Sequence, residues 1–127
     1  MPAQIVNVSS AGGPVTGRVV IGRALWGSAL VQLRDANGKD PNDLADFDSD
    51  DQEAIEQFDI GDPDKLDGYF LIAKVRVAAW TEGAEQYYLS LSVYQGEKML
   101  TNGHLVSQGS FTGVRTVSFR MQFELVP

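Results

Sequence analysis

The last stretch of the chain alternates without interruption. Val117, Phe119, Met121, Phe123 and Leu125 fall on one side; Thr116, Ser118, Arg120, Gln122 and Glu124 fall on the other. A two-residue period is a strand with one face in a core and one in water, because successive side chains leave a pleated strand in opposite directions. Residues 87–94 repeat it, with Tyr87, Leu89, Leu91 and Val93 opposed to Tyr88, Ser90, Ser92 and Tyr94. Residues 69–80 form a longer case. Leu71, Ala73, Val75, Val77 and Ala79 share one face, and the other is apolar at both ends with Lys74 and Arg76 in the middle. That second face predicts partial covering, by the acidic segment described below or by a second copy of the chain in a homodimer.

Turn signals connect these segments. Gly83, within residues 81–84, predicts a hairpin that folds 69–80 against 87–94. Gln95-Gly96-Glu97 predicts the next turn, residues 98–106 the next strand, and Asn102-Gly103 a break or bulge within it. Gly109 to Gly113 lead into the last strand, so the second half reads as a four-stranded antiparallel meander. Earlier, residues 4–8, 15–21 and 28–34 are strand candidates, and Asp35-Ala36-Asn37-Gly38 ends the third. Seven short segments predict a single all-β domain over residues 1–127. The expected form is an antiparallel two-sheet β-sandwich, jelly-roll or Greek-key like, with a partly closed β-barrel as the alternative.

Residues 35–67 break the pattern. They hold thirteen of the seventeen carboxylates, opposed only by Lys39 and Lys65, in a chain of net charge −7. Asp40-Pro41 suits a helix N-cap and first helical residue, and Ser49 with Gln52 matches a capping-box offset. Asp50, Asp51 and Glu53 would then occupy a first turn, where carboxylates favour exposed amides. Leu44 with Phe47, and Ile55 with Phe58, have helical spacing. The segment therefore reads as an acidic, partly helical insert that ends near Gly61, with another turn at Asp62-Pro63.

Composition narrows the chemistry. The 127 residues are 43% apolar, enough for one packed core. Cysteine is absent, which removes disulfides, thiolate nucleophiles and thiolate metal sites. The first ten residues show no basic and apolar leader, which fits a cytoplasmic placement, although a processed secreted chain would read the same. No apolar run is long enough to span a bilayer as a helix, and the net negative charge opposes nucleic acid and anionic lipid as partners.

Three candidate surfaces follow. Asp46, Asp48 and Asp50 alternate as calcium ligands would, and they match the first positions of an EF-hand loop; Asp51 then stands where glycine is needed and Gln57 where the bidentate Glu is needed. A calcium site of another kind is the remaining reading, beside a plain acid-decorated surface. Second, Asp46, Asp48, Asp50, Asp51, Glu53 and Glu56 form a field that steers a basic protein partner, or that is neutralised by Arg18, Arg23, Lys74 and Arg76 of the same chain. Third, Trp26, Trp80, Tyr88 and Tyr94 offer rings for a shallow carbohydrate-binding face. Catalysis has little to work with. His104 is the lone histidine, with Ser90 or Ser107 as conceivable partners, and no phosphate loop is present. The sequence thus points to a non-enzymatic binding or assembly protein that contacts a basic protein through its acidic insert. The alternative is a carbohydrate-binding module, with or without calcium.

Overall fold

The computed structural model describes residues 4–22, 26–49, 53–79 and 82–127. These residues form nine strands: β1 (Gln4–Ser9), β2 (Val15–Gly22), β3 (Trp26–Arg34), β4 (Asn42–Ser49), β5 (Ala54–Gly61), β6 (Phe70–Ala78), β7 (Glu85–Gln95), β8 (Lys98–Phe111) and β9 (Val114–Val126). A five-stranded sheet has the order β1-β9-β6-β3-β4, and a four-stranded sheet the order β5-β2-β7-β8. The sheets do not close into a barrel. All pairings are antiparallel except β1 with β9.

Both sheets contribute to one core. Val19 and Ile21 of β2 and Leu89, Leu91 and Val93 of β7 meet Val31 of β3, the odd-numbered apolar residues of β6, and Met121 and Phe123 of β9. The alternation read from residues 71–79, 87–94 and 116–125 is therefore the inner and outer face of each strand. Each of the seven segments expected to be strands holds one; six are extended by up to five residues, whereas 69–80 is shortened to Phe70–Ala78, with Trp80 outside the described residues.

The acidic segment is not helical. Residues 42–49 and 54–61 are β4 and β5, and among the described residues the one helical element is a 3-10 turn, Pro63–Lys65, entered from Asp62. The helical spacings have a different origin. Leu44 is the extra residue of a bulge, because Gln32 pairs with Asp43 while Val31 pairs with Ala45. Ala45 and Phe47 then face the core, and Asp46 and Asp48 face water. Ile55 and Phe58 lie on opposite faces of β5: Phe58 is buried over Gly17, whereas Ile55 pairs with Val20 and is exposed. The capping residues Asp50, Asp51 and Gln52 lie outside the described residues. β4 is joined to β3 by a tight turn in which Asp35 Oδ1 accepts from the Asn37 and Lys39 amides at 2.9 and 2.8 Å. Those bonds to the ionised form, the Lys39 amide foremost, hold the Asp35 carboxyl below its ordinary range.

The second half does not form a four-stranded meander. β6 does not pair with β7; it pairs with β3 and β9, while β7 pairs with β2 and β8 in the other sheet. Hydrophobic inner faces on both strands are satisfied equally well by facing each other across the core, so alternation alone does not separate a hairpin from a sheet-to-sheet crossing. The β7–β8 hairpin at Gly96 stands, and the bulge at Asn102 stands with it: Asn102 is left-handed (φ 62°).

Two polar clusters tie the sheets together. Buried Gln95 of β7 accepts from the Ser9 amide at 2.9 Å and donates to the Ser9 and Gly13 carbonyls at 2.7 and 3.0 Å. At the other end, Arg115 of β9 donates from Nε to the Tyr87 hydroxyl at 2.8 Å, and its guanidinium lies 5.2 Å from the centre of that ring.

Gly17 sets the approach of β5 to the core. A methyl group there would sit 2.5 Å from the Phe58 ring and 3.3 Å from Ile60. Gly17→Ala is expected to push Phe58 outward and to cost about 1–3 kcal/mol in denaturant unfolding, as overpacked sites do. An unchanged unfolding midpoint would show that β5 is not held by this contact.

Candidate functional site

A sheet's outermost strand leaves one row of amides and carbonyls without ladder partners. Sheet order makes β4 the edge of the five-stranded sheet and β5 the edge of the four-stranded one, and the two edges lie against each other on the same side. The acidic segment therefore supplies both edges of that side. Asp43, Asp46 and Asp48 are exposed on β4, Glu56 and Asp59 on β5, and Glu53 just before it. Glu56 is opposite buried Val19, at an inward-facing register position, yet it is exposed. Lys65 meets Asp62 at 3.9 Å, with both groups largely exposed; Asp46, Asp48, Glu53 and Glu56 form no ion pair with a described residue.

Lys74 and Arg76 do not neutralise this field. The acidic segment extends the sheet beyond β3; it does not cover the outer face of β6. Asp46 and Lys74 flank Leu30 from opposite sides, and Asp48 and Arg76 flank Ser28 in the same way. Two strand spacings separate each pair, about 10 Å. Arg18 is committed elsewhere, and Arg23 lies outside the described residues.

The outer face of the four-stranded sheet holds the second candidate. Rows across β5, β2, β7 and β8 bring together residues distant in sequence: Gln57, Arg18, Ser92 and His104 share one row, and Asp59, Thr16, Tyr94 and Met99 form the next row along the strands. The Arg18 guanidinium lies 5.4 Å from the centre of the Tyr94 ring. The Gln57 amide oxygen accepts from Arg18 Nη2 at 2.6 Å and Nε at 3.3 Å, in the amide orientation that satisfies both groups. Ser92 Oγ and His104 Nδ1 are 2.7 Å apart. A groove of about 430 Å³ opens beside this row, with Thr16, Arg18, Gln57, Asp59, Tyr94 and Glu97 on its walls. Donors, acceptors, one cation and two carboxylates thus line it, a set suited to hydroxyl-rich ligands.

The aromatic candidates do not converge. Tyr88 and Tyr94 share the outer face of β7, with Ser90 and Ser92 between them. Trp26 is on the opposite sheet, 49% exposed, and Trp80 lies outside the described residues. Asp46 and Asp48 point the same way from β4, while Asp50 and Asp51 lie outside the described residues. Among the described residues no three acidic or histidine side chains are placed to hold one metal ion. His104 pairs with Ser92; neither Ser90 nor Ser107 is its partner, since Ser90 sits opposite Val106 and Ser107 bonds the Tyr87 hydroxyl at 2.9 Å. The bulge causes the offset: between Ser92 and Tyr94, β7 advances two residues while β8 passes from His104 to Met99. The Arg18–Tyr94–Gln57 group carries no spacing signal, because its members come from three strands.

Comparison of the chain with protein-family models, with curated proteins and with solved structures found no match in any of the three.

The Ser92–His104 bond joins β7 to β8 on a half-exposed face, and its expected role is structural. A double-mutant cycle with Ser92→Ala and His104→Ala should give a coupling of about 1 kcal/mol in denaturant unfolding. Zero coupling would mean that the bond contributes nothing to the folded state.

Proposed function

We propose that this chain is a non-enzymatic binding or assembly protein that contacts a basic protein partner through its acidic segment. One observation carries the reading: carboxylates that form no ion pair with a described residue decorate two adjacent edge strands, β4 and β5, each of which leaves one row of backbone groups without a ladder partner among the described residues. Charge of one sign on an open edge repels a second such edge and attracts a strand or surface of the opposite sign. The field also accelerates encounter, because opposite charges steer approach before contact forms.

The groove beside Arg18 and Tyr94 supports a second reading, a carbohydrate-binding module. Its walls mix an aromatic edge with hydrogen-bonding groups held by Gln57 and the sheet register. Calcium assistance would require Asp46 and Asp48 to be joined by further ligands.

The two readings separate in solution. For the first, Glu53→Lys with Glu56→Lys should slow association with the partner about 10- to 100-fold at low ionic strength and flatten its salt dependence. The readout is surface-binding kinetics against the protein recovered from source cells, and an unchanged association rate removes the steering argument. For the second, the wild type should be retained on a glycan array and Tyr94→Ala should abolish retention while the melting temperature holds. Silence of the wild type across a broad array counts against it.

A further inference from the structure

The outer face of the five-stranded sheet is divided by charge into columns. Lys74 and Arg76 of β6 stand on one side of β3, with Arg120 of β9 beyond them; Asp46 and Asp48 of β4 stand on the other side. All five are exposed. Arg120 is drawn back over the Phe70 ring, 4.7 Å from its centre. Lys74, Arg76, Asp46 and Asp48 form no ion pair with a described residue. Between the columns run Trp26, Ser28 and Leu30 of the outer row of β3, which continues through Gln32 to a half-buried Arg34 bonded to Gln32 Oε1 and the Gly38 carbonyl. Trp26 and Val114 are about half exposed at one end of the face (49% and 51%), with Ala78 between them.

We propose that this face docks on a second copy of itself, so that the basic partner of β4 is the β6 column of another molecule. The inference rests on the reading above that the acidic segment contacts a basic protein, and it names that protein. Geometry selects the arrangement. A two-fold axis lying between the faces and running along β3 leaves the height along the strand unchanged and exchanges the two sides. Asp46 of each copy then meets Lys74 of the other, and Asp48 meets Arg76. The Leu30 and Trp26 rows meet themselves on the axis, where two apolar surfaces are removed from water together. An in-plane axis across the strands would instead stack β4 on β4 and β6 on β6, setting like charges against each other. Sheets pack face to face about 10 Å apart, a gap that a lysine or arginine opposite an aspartate spans. The same columns explain why the face is not covered within one chain: each acid and base pair is held one strand too far apart to join.

The test is a charge exchange on the full chain, read by sedimentation and light scattering over a concentration series. Wild type is expected to dimerise and to dissociate as salt is raised. Lys74→Asp with Arg76→Asp sets four acids on the two sides of β3, and Asp46→Lys with Asp48→Lys sets four bases there. Each double variant should weaken self-association at least about tenfold, as like charges across an interface do. Mixed in equal amounts, the two should form a heterodimer of wild-type strength. Melting temperatures establish that both variants fold, and Leu30→Glu, on the axis, provides an independent disruption if either does not. A wild type that stays monomeric to its solubility limit overturns the proposal, as does a dimer that survives both exchanges and Leu30→Glu. The parent reading fails separately. If wild type is monomeric but Glu53→Lys with Glu56→Lys still slows capture of another basic protein, self-docking falls and the acidic edge stands.

Discussion

Two facing sheets that do not close leave four edge strands, and each edge must be kept from pairing with another chain. The two sides of this molecule solve that requirement differently. On one side β1 lies against β8, and β8 runs through Thr112 and Gly113 directly into β9 of the other sheet, so packed strands and a short connection close that side. Gln95 fastens the same side by holding both main-chain groups of Ser9. On the other side β4 and β5 also lie against each other, and their exposed positions carry carboxylates. Placement of the charge and topology of the sheets therefore coincide: the acidic segment supplies both edge strands of one side.

As a helical appendage the acidic residues would be an accessory to the fold. As edge strands they belong to it, because Phe47, Phe58 and Ile60 close the core while their neighbours point into water. Replacing the segment with a short loop would uncover β2 and β3 along their whole length. The protein surface proposed for contact and the two edge strands that close one side of the core are the same segment, so substitutions there act on both.

Much of the architecture was legible in the alternation of residues 71–79, 87–94 and 116–125, which gave the strands and their inner faces. The sheet assignment of each strand was not, since Leu71 to Ala79 and Tyr87 to Val93 face the same core whether they pair or oppose. The edges were misread because edge strands tolerate polar residues at inward positions: Glu56 sits opposite Val19, and the bulge at Leu44 shifts the phase of β4. For the site, the charge of Asp46 and Asp48 was evident from sequence, but its counterpart was not. That Lys74 lies in register with Asp46 across Leu30 depends on the β3–β4 and β3–β6 pairings, which no local pattern encodes. The grouping of Arg18, Gln57 and Tyr94 was hidden for the same reason.

The parallel pairing of β1 with β9 has a kinetic corollary. Gln4 is matched to Met121 and Ser9 to Val126, so the first of the nine described strands waits for the ninth. Until residues 114–126 have left the ribosome, Val6 and Val8 have no sheet to join, and β6 lacks one neighbour. Closure of a loop spanning nearly the whole chain is entropically slow, and topologies ruled by such distant partners fold on the slow end of the single-domain range. Chains that wait on distant partners expose apolar surface while they fold, and in this one the carboxylates of residues 35–67 precede the ninth strand in order of synthesis.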